Sequence, residues 1–261
     1  MNPADASLPA DPMNELLSLG RELGREQLDL AILGEGNVSV RTGADTFLVK
    51  ASGRNLRSLG PDGLVECRQS VLLKMLDQPG ATDAQIESNL YDSRVDPGAP
   101  KPSVEAVFHA LLLDLPRVRF VGHTHGVAVN AILCSPRAEQ FARERIFPDE
   151  IVCCGPSSVF VPYVDPGLPL AVAIRDRTHA WMRAQRDDRA PPRVILLASH
   201  GLITLGPTRD AVLAAMLMAS KAARIWLAAA ALDGPVTLPP SEVRRIASRA
   251  DEEYRRRALN I

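Results

Sequence analysis

The chain has 261 residues, a length that suits one large domain or two small ones, and 46% of them are hydrophobic, enough to fill a core. Its formal net charge of -1 argues against a general binder of nucleic acid or of anionic membranes. Arginine outnumbers lysine, but the arginines are spread along expected helices or gathered in the tail as R-R-I-A-S-R and Y-R-R-R, a pattern of solvated faces. The four cysteines, Cys67, Cys134, Cys153 and Cys154, fit neither a disulfide framework nor a zinc knuckle. Buried thiols in a reducing, cytoplasmic setting are expected. No apolar run reaches the ~20 residues that span a bilayer. The first residues lack the basic and apolar regions of a signal peptide, and residues 1–12 read as a short disordered arm.

In chain order, Asp11 and Pro12 start a helix over residues 13–27, with Leu16, Leu17, Leu19 and Leu23 as its apolar face. An apolar stretch over 28–33 leads into G-E-G-N. A hairpin follows, with strands over 38–41 and 46–50 and a turn at T-G-A-D. Residues 64–67 read as a strand and 70–76 as a short helix or edge element. Residues 78–102, rich in Pro, Gly, Asp and Ser, read as a long loop. Pro102 opens a helix to about 113. Residues 118–124 form an apolar strand and 128–133 a helix. Pieces at 151–154 and 159–161 read as strands on either side of G-P-S-S. A helix is expected over 168–185, and strands over 194–198 and 202–205. Thr208 caps a long helix to about 232, the stretch D-G-P-V-T-L-P-P breaks the chain, and one last helix runs over 241–259. The irregular alternation predicts an α/β sandwich with helices on both faces of a central sheet.

Three of the five histidines fall in or beside these strand segments, in two short motifs. His123 and His125 form H-T-H in R-F-V-G-H-T-H, and alternate residues of a strand project to one face, so both imidazoles can reach one cation. His200 stands in L-L-A-S-H-G-L-I-T-L-G, before a glycine where the chain turns. Glu105, in K-P-S-V-E-A-V-F-H-A, is the carboxylate candidate. A three-histidine site with open positions is catalytic rather than structural. The helix dipole alone also favours a Glu in a first turn, and short H-x-H motifs match by accident. His109 reads as a helix-face residue contacting a neighbour and not as a ligand, and His179 as a surface or interface residue.

Three further segments are candidates for holding an anion. Gly34, Gly36 and Asn37 in G-E-G-N-V-S-V form a glycine-rich turn whose free N–H groups suit an anion nest, although a hairpin turn explains them equally. Ser52 and Gly53 follow a strand, with Lys50 as a source of charge. Ser103 lies near a helix N-terminus, where N–H groups are unpaired. No third glycine or helix follows G-E-G-N, so it is not a dinucleotide fingerprint.

Together G-E-G-N-V-S-V, K-A-S-G, K-P-S-V-E-A-V-F-H-A, V-G-H-T-H and L-A-S-H-G-L-I-T-L-G occur in the order seen in the class II aldolase/adducin family, which the chain resembles over residues 13–232. The remaining 233–261 read as a helical tail of the same domain. Two segments, V-K-A-S-G and the run that begins C-C-G-P-S-S, look closest to members similar to rhamnulose-phosphate aldolase and fused to dehydrogenases; no dehydrogenase segment is expected here. The resemblance implies a three-layer α/β/α sandwich with a mixed or mainly antiparallel sheet. It implies a homotetramer with active sites at subunit interfaces and a small-molecule substrate. It also implies Zn2+, or Mn2+, held by His123, His125 and His200, with Glu105 as both ligand and base. By resemblance to fuculose-phosphate aldolase, a phosphate would meet Gly36, Asn37, Ser52, Gly53 and Ser103. Tyr254 is the counterpart of a proton-donating tyrosine in the tail. Two departures stand out. The aldolases often read S-S-E where this chain reads S-V-E, so Val104 offers no hydrogen bond to a phosphate. No tyrosine aligns cleanly after the H-T-H strand; Tyr163 lies in a different motif.

The chemistry implied is retro-aldol cleavage of a hydroxy-carbonyl substrate, which needs a polarised carbonyl, a deprotonated β-hydroxyl and a stabilised enediolate. A decarboxylase on the same fold is the alternative, and Val104 leans towards it. A non-enzymatic scaffold of the adducin type is a third reading, set against by the presence of all three histidines.

Overall fold

The computed structural model describes residues 8–78, 80–185 and 190–261. Residues 1–7 of the expected arm lie outside them. The chain builds β1 (Asn37–Arg41), β2 (Thr46–Lys50), β3 (Leu64–Arg68), β4 (Phe120–Thr124), β5 (Val159–Val161), β6 (Val194–Leu197) and β7 (Gly201–Gly206). They form one sheet in the order β3-β2-β1-β4-β7-β6-β5. Every neighbouring pair is antiparallel except β5 with β6. The sheet is therefore mixed and mainly antiparallel, as expected.

The helices are α1 (Pro12–Leu23), α2 (Gln69–Met75), α3 (Asp83–Asp92), α4 (Ala106–Leu113), α5 (Val127–Leu133), α6 (Ala138–Arg143), α7 (Pro148–Cys154), α8 (Leu168–Ala184), α9 (Arg209–Ala230), α10 (Pro240–Ala247) and α11 (Ala250–Ala258). Alternation along the strands feeds two apolar layers. Phe47, Val49, Val121, Ile195 and Ile203 pack with α2, α4 and α8 on one face. Val38, Val40, Phe120, Leu196 and Leu202 pack with α1, α5 and α9 on the other. This is the α/β/α sandwich. Residues of α4 are buried on every side, which is why its sequence, A-V-F-H-A-L-L-L, shows no polar face.

Several elements differ from the sequence reading. The expected loop over 78–102 contains α3, started by a capping box between Thr82 and Gln85. Its polar sequence buries Leu90 alone, so periodicity could not reveal it. Residues 151–154 belong to α7 and not to a strand: Pro148 begins it, and Asp149 and Glu150 occupy its first turn. Helix α6 has no counterpart among the expected elements. The first helix stops at Leu23, and residues 26–28 make a separate 3-10 turn. The last helix is two, broken at Ser248 and Arg249. By length and composition α9 could cross a membrane, contrary to the expectation that no segment could. Its Val212, Met216, Ala219, Ala223 and Trp226 are buried in the core. The four cysteines are free, but Cys134 is exposed and not buried.

Candidate metal centre

Two registers place the centre. Asn37 of β1 pairs with His123 of β4, and Ser39 pairs with Val121. All four therefore share the sheet face covered by α4. On that helix Glu105, at the N-cap, and His109 are one turn apart. Two residues along a strand advance about as far as one helical turn, ~6–7 Å against ~5.4 Å. Asn37 thus meets Glu105, and Ser39 meets His109. The Asn37 amide donates a short hydrogen bond to Oε2 of Glu105. Ser39 Oγ lies 2.7 Å from Nδ1 of His109.

His123 is fully buried near the end of β4, and His125 follows just after the strand, where its backbone N–H donates to Leu30 (3.0 Å). His200 ends the three-residue turn between β6 and β7, with Ser199 in the left-handed region at φ 52°. Candidate ligand atoms of Glu105, His123, His125 and His200 all lie within 4.8 Å of one another. Oε1 of Glu105 is 3.5 Å from Nε2 of His123 and 3.3 Å from Nε2 of His200. The Nε2 atoms of His123 and His125 stand 3.0 Å apart.

The outer nitrogens explain that approach. Nδ1 of His123 lies 3.0 Å from the Leu202 carbonyl, and Nδ1 of His125 lies 3.2 Å from Oε2 of Glu35. Each Nδ1–H donates outward, which leaves the Nε2 lone pairs facing one another. Two lone pairs so close are repulsive unless a cation lies between them. Three imidazole nitrogens and one carboxylate oxygen suit Zn2+ or Mn2+, so the residues fit the implied ion.

Burial alone would push the Glu105 carboxyl up, but the charges and hydrogen bonds of His123 and His200 hold it well below the usual carboxylate range. Burial would likewise push His123 down, and the Glu105 carboxylate raises it instead. Burial, with the charges of His123 and His200, pushes His125 down to about 4. The cluster stabilises one positive charge beside Glu105 and resists a second on the histidines.

The other predicted residues fall into two groups. The segment after β2 lies against the strand of chain leading to α4: Ala51 bridges Pro102, and the Ser52 N–H donates to Lys101 (3.0 Å). Ser103 is buried, and its Oγ accepts from the Glu105 N–H at 3.3 Å. A Cβ on Gly34 would come within 3.4 Å of the Gly53 backbone, so the two glycine turns are neighbours. Gly36, Asn37, Ser52, Gly53 and Ser103 thus border one region beside Glu105. Lys50 does not offer free charge there. Its ammonium is buried and donates to the carbonyls of Gly34 (2.9 Å) and Arg54 (2.7 Å), tying the two turns together. Burial pushes it down to about 8 against the pull of Glu105.

Tyr254 stands apart from this group. It is 76% exposed on α11. That tail is tethered at the far end of β7, where Thr208 donates to the Asn260 carbonyl (2.6 Å), while His200 precedes the near end. Within one chain it does not join the cluster. His179 is exposed, as expected.

Sequence reasoning missed Glu35 and Asn130. Glu35 anchors itself by accepting from the Ile32 N–H (2.7 Å) and then orients His125. Asn130 donates to the carbonyls of His200 (2.9 Å) and His125 (3.4 Å), joining the two histidine turns. The only signal for Glu35 was an acidic residue between two turn glycines.

Residues 14–227 match the family described as "Class II Aldolase and Adducin N-terminal domain". The "Uncharacterized oxidoreductase YuxG" of Bacillus subtilis (strain 168) is 27% identical over 185 residues, which cover 68% of this chain and 24% of that protein. The chain thus spans about a quarter of that relative's length. Among solved structures, the N-terminal class II aldolase domain of a conserved protein from Thermoplasma acidophilum superposes with a TM-score of 0.67 at 27% identity, covering 87% of this chain and 99% of that one. An L-fuculose 1-phosphate aldolase superposes with a TM-score of 0.66 at 18% identity, covering 97% and 100%. With the family matched over most of its length, its sheet order and its histidine and glutamate cluster in place, the chain belongs to the class II aldolase and adducin family.

Proposed function

We propose that this protein is a divalent-metal-dependent carbon–carbon lyase, an aldolase that cleaves a hydroxy-carbonyl substrate of the sugar or sugar-phosphate class. The observation that carries the reading is the convergence of Glu105, His123, His125 and His200 within 4.8 Å. A divalent ion held by these four side chains would supply Lewis acidity to neighbouring carbonyl and hydroxyl oxygens. The chain's own residues do the rest. Leu202 and Glu35 hold His123 and His125 in the tautomer that turns Nε2 inward. Asn37 holds one oxygen of Glu105, so the other can move a proton at the carbon beside the carbonyl. The turns at Gly36 and Gly53, with Ser52 and Ser103, border the place where the remote end of the substrate would sit.

Residues 13–232 are read as the catalytic domain and 233–261 as a tail of it, a reading supported by Val243 and Ile246 packing on Ile151 of α7. A homotetramer with interface sites is the assembly proposed. Ile32, Leu33 and Val127, all more than two-thirds exposed around the turn that carries His125, support it as apolar surface for a second copy. Tyr254 would then act only on the site of a neighbour. The decarboxylase alternative keeps one supporting observation: Val104, next to Glu105 and 39% exposed, presents a methyl surface where the aldolases present a hydroxyl.

Elemental analysis of the purified protein tests the reading, paired with a retro-aldol assay on a panel of hydroxy-carbonyl compounds with and without phosphate. About one divalent ion per chain is expected, lost together with turnover in His123→Ala and in His125→Ala. A protein that stays metal-free after incubation with Zn2+ and Mn2+ would give the lead to the scaffold reading.

A further inference from the structure

A second cleft, of about 280 Å³, lies between α7, the end of α8, the segment before β6 and α11. It is remote from the histidine cluster. Arg193, on its wall, accepts at its carbonyl from the Leu205 N–H (3.1 Å), and so marks the Gly206 end of β7, whereas His200 precedes the opposite end.

Among the described residues, the charge in this cleft has no counterpart. Arg193 donates from Nη1 to the carbonyls of Val152 and Cys153 (3.4 Å for the latter), an ordinary cap on the end of α7. That uses one nitrogen of a five-donor fork, and Nε and Nη2 have no partner among the described residues. The guanidinium of Arg256 has none either, although Arg249, Arg255 and Arg257 around it each hold a carboxylate. Burial, and after it the charge of Arg256, push Arg193 down, against a smaller opposing pull from Cys154 and Cys153. Two guanidinium groups therefore border one cleft with no carboxylate between them among the described residues, an arrangement that costs energy unless an anion is bound. Apolar side chains make up much of the remaining wall. Trp181 is held by a hydrogen bond from its indole N–H to Ser157 Oγ (3.1 Å), with Ile151 and Pro156 beside it. Arginine forks match phosphoryl oxygens, and a dianion balances two cations.

We propose that this cleft, lined by Arg193, Arg256 and Trp181, is a second binding site, separate from the metal centre, for a small phosphomonoester whose organic part lies against the indole. It does not depend on the reading of the metal centre.

Trp181 reports on its own site. The chain has two tryptophans, and Trp226 is buried on the other side of the sheet. Phenyl phosphate and inorganic phosphate are titrated into Trp226→Phe protein with EDTA present, so that metal-bound phosphate does not contribute. Saturable change in Trp181 fluorescence is expected with both, tighter for phenyl phosphate, and weaker at raised salt. Arg256→Gln, at a partly exposed position on the tail, should weaken both by about tenfold or more. Arg193 also caps α7, so Arg193→Lys with circular dichroism as a folding check is the second variant, with the same loss expected. Retained affinity in both folded variants, or no saturable signal in the parent, overturns the proposal. Equal affinity for the two ligands overturns the role of the indole.

Discussion

At the scale of single residues, the polar groups under α4 divide into one proposed to react and one that holds. Glu105 faces two imidazoles with one oxygen and Asn37 with the other. Replacing it by Gln keeps the size and the Asn37 contact but removes the proposed base. Glu105→Gln is expected to fold with unchanged circular dichroism and to turn over about 10²-fold more slowly or worse; a wild-type rate would reduce Glu105 to a helix cap. His109 does the holding. It is fully buried against Ser39 and Phe108, and its Nε2 has no partner to share a further proton. Burial, with the charges of His123 and Lys50, pushes it down to about 3. Its folded value is below its unfolded value of about 6.5, so the unfolded chain takes up a proton first. The stability this group contributes is complete above pH ~6.5 and is lost as pH falls towards ~3, by about 1.4 kcal/mol per unit. Urea midpoints at pH 7 and pH 5 check this. Wild type should lose about 2 kcal/mol more than His109→Gln over that interval, and equal losses would show that His109 titrates normally.

At the scale of elements, the histidines are positioned by backbone that tolerates no side chain. A Cβ on Gly201, the first residue of β7, would lie 2.4 Å from the Thr124 carbonyl oxygen, 2.9 Å from the His125 ring and 3.2 Å from the His123 ring. Gly36 is in the left-handed region at φ 73°, and a Cβ there would lie 2.8 Å from the His123 carbonyl oxygen. Gly201→Ala should therefore spread β4 from β7 and separate the ligands. A loss of metal affinity of at least about tenfold, with a stability cost of about 1–3 kcal/mol from overpacking, is expected by metal titration and urea melts. Unchanged affinity would mean that the turn carrying His200 sets the site without help from β7. The same scale explains which elements could be read in advance. Strands β1, β2 and β4 and helix α9 carry apolar patterns long enough to recognise. Helix α3 buries too little, and α7 is short enough that I-V-C-C imitates a strand.

At the scale of the molecule, the centre gathers one carboxylate from the start of α4, two imidazoles from the end of β4 and one from the turn before β7. Only the folded chain brings them together, so a bound ion should stabilise the fold by mass action, about 2.7 kcal/mol at a hundredfold excess over Kd. Chelation is expected to lower the Tm and added Zn2+ or Mn2+ to restore it, with no such response in His200→Ala. A Tm indifferent to both treatments would show that the four groups hold no ion.

By itself, the chain's sequence determined the candidate ligands and the sandwich, because these depend on local patterns: H-T-H at the end of a strand, a histidine before a strand-opening glycine, an acid at a helix start. It also carried the departures at Val104 and after the H-T-H strand. The tertiary structure decided what those patterns could not contain. Glu35 and Asn130 became partners of the histidines through contacts between segments distant in the chain. Lys50 became a buried clamp once two turns closed over it, and Tyr254 was carried away from the cluster when the tail docked at the other end of β7. A side chain's identity is written in the sequence, but its partners depend on which strands become neighbours, and that is settled by packing of the whole sheet.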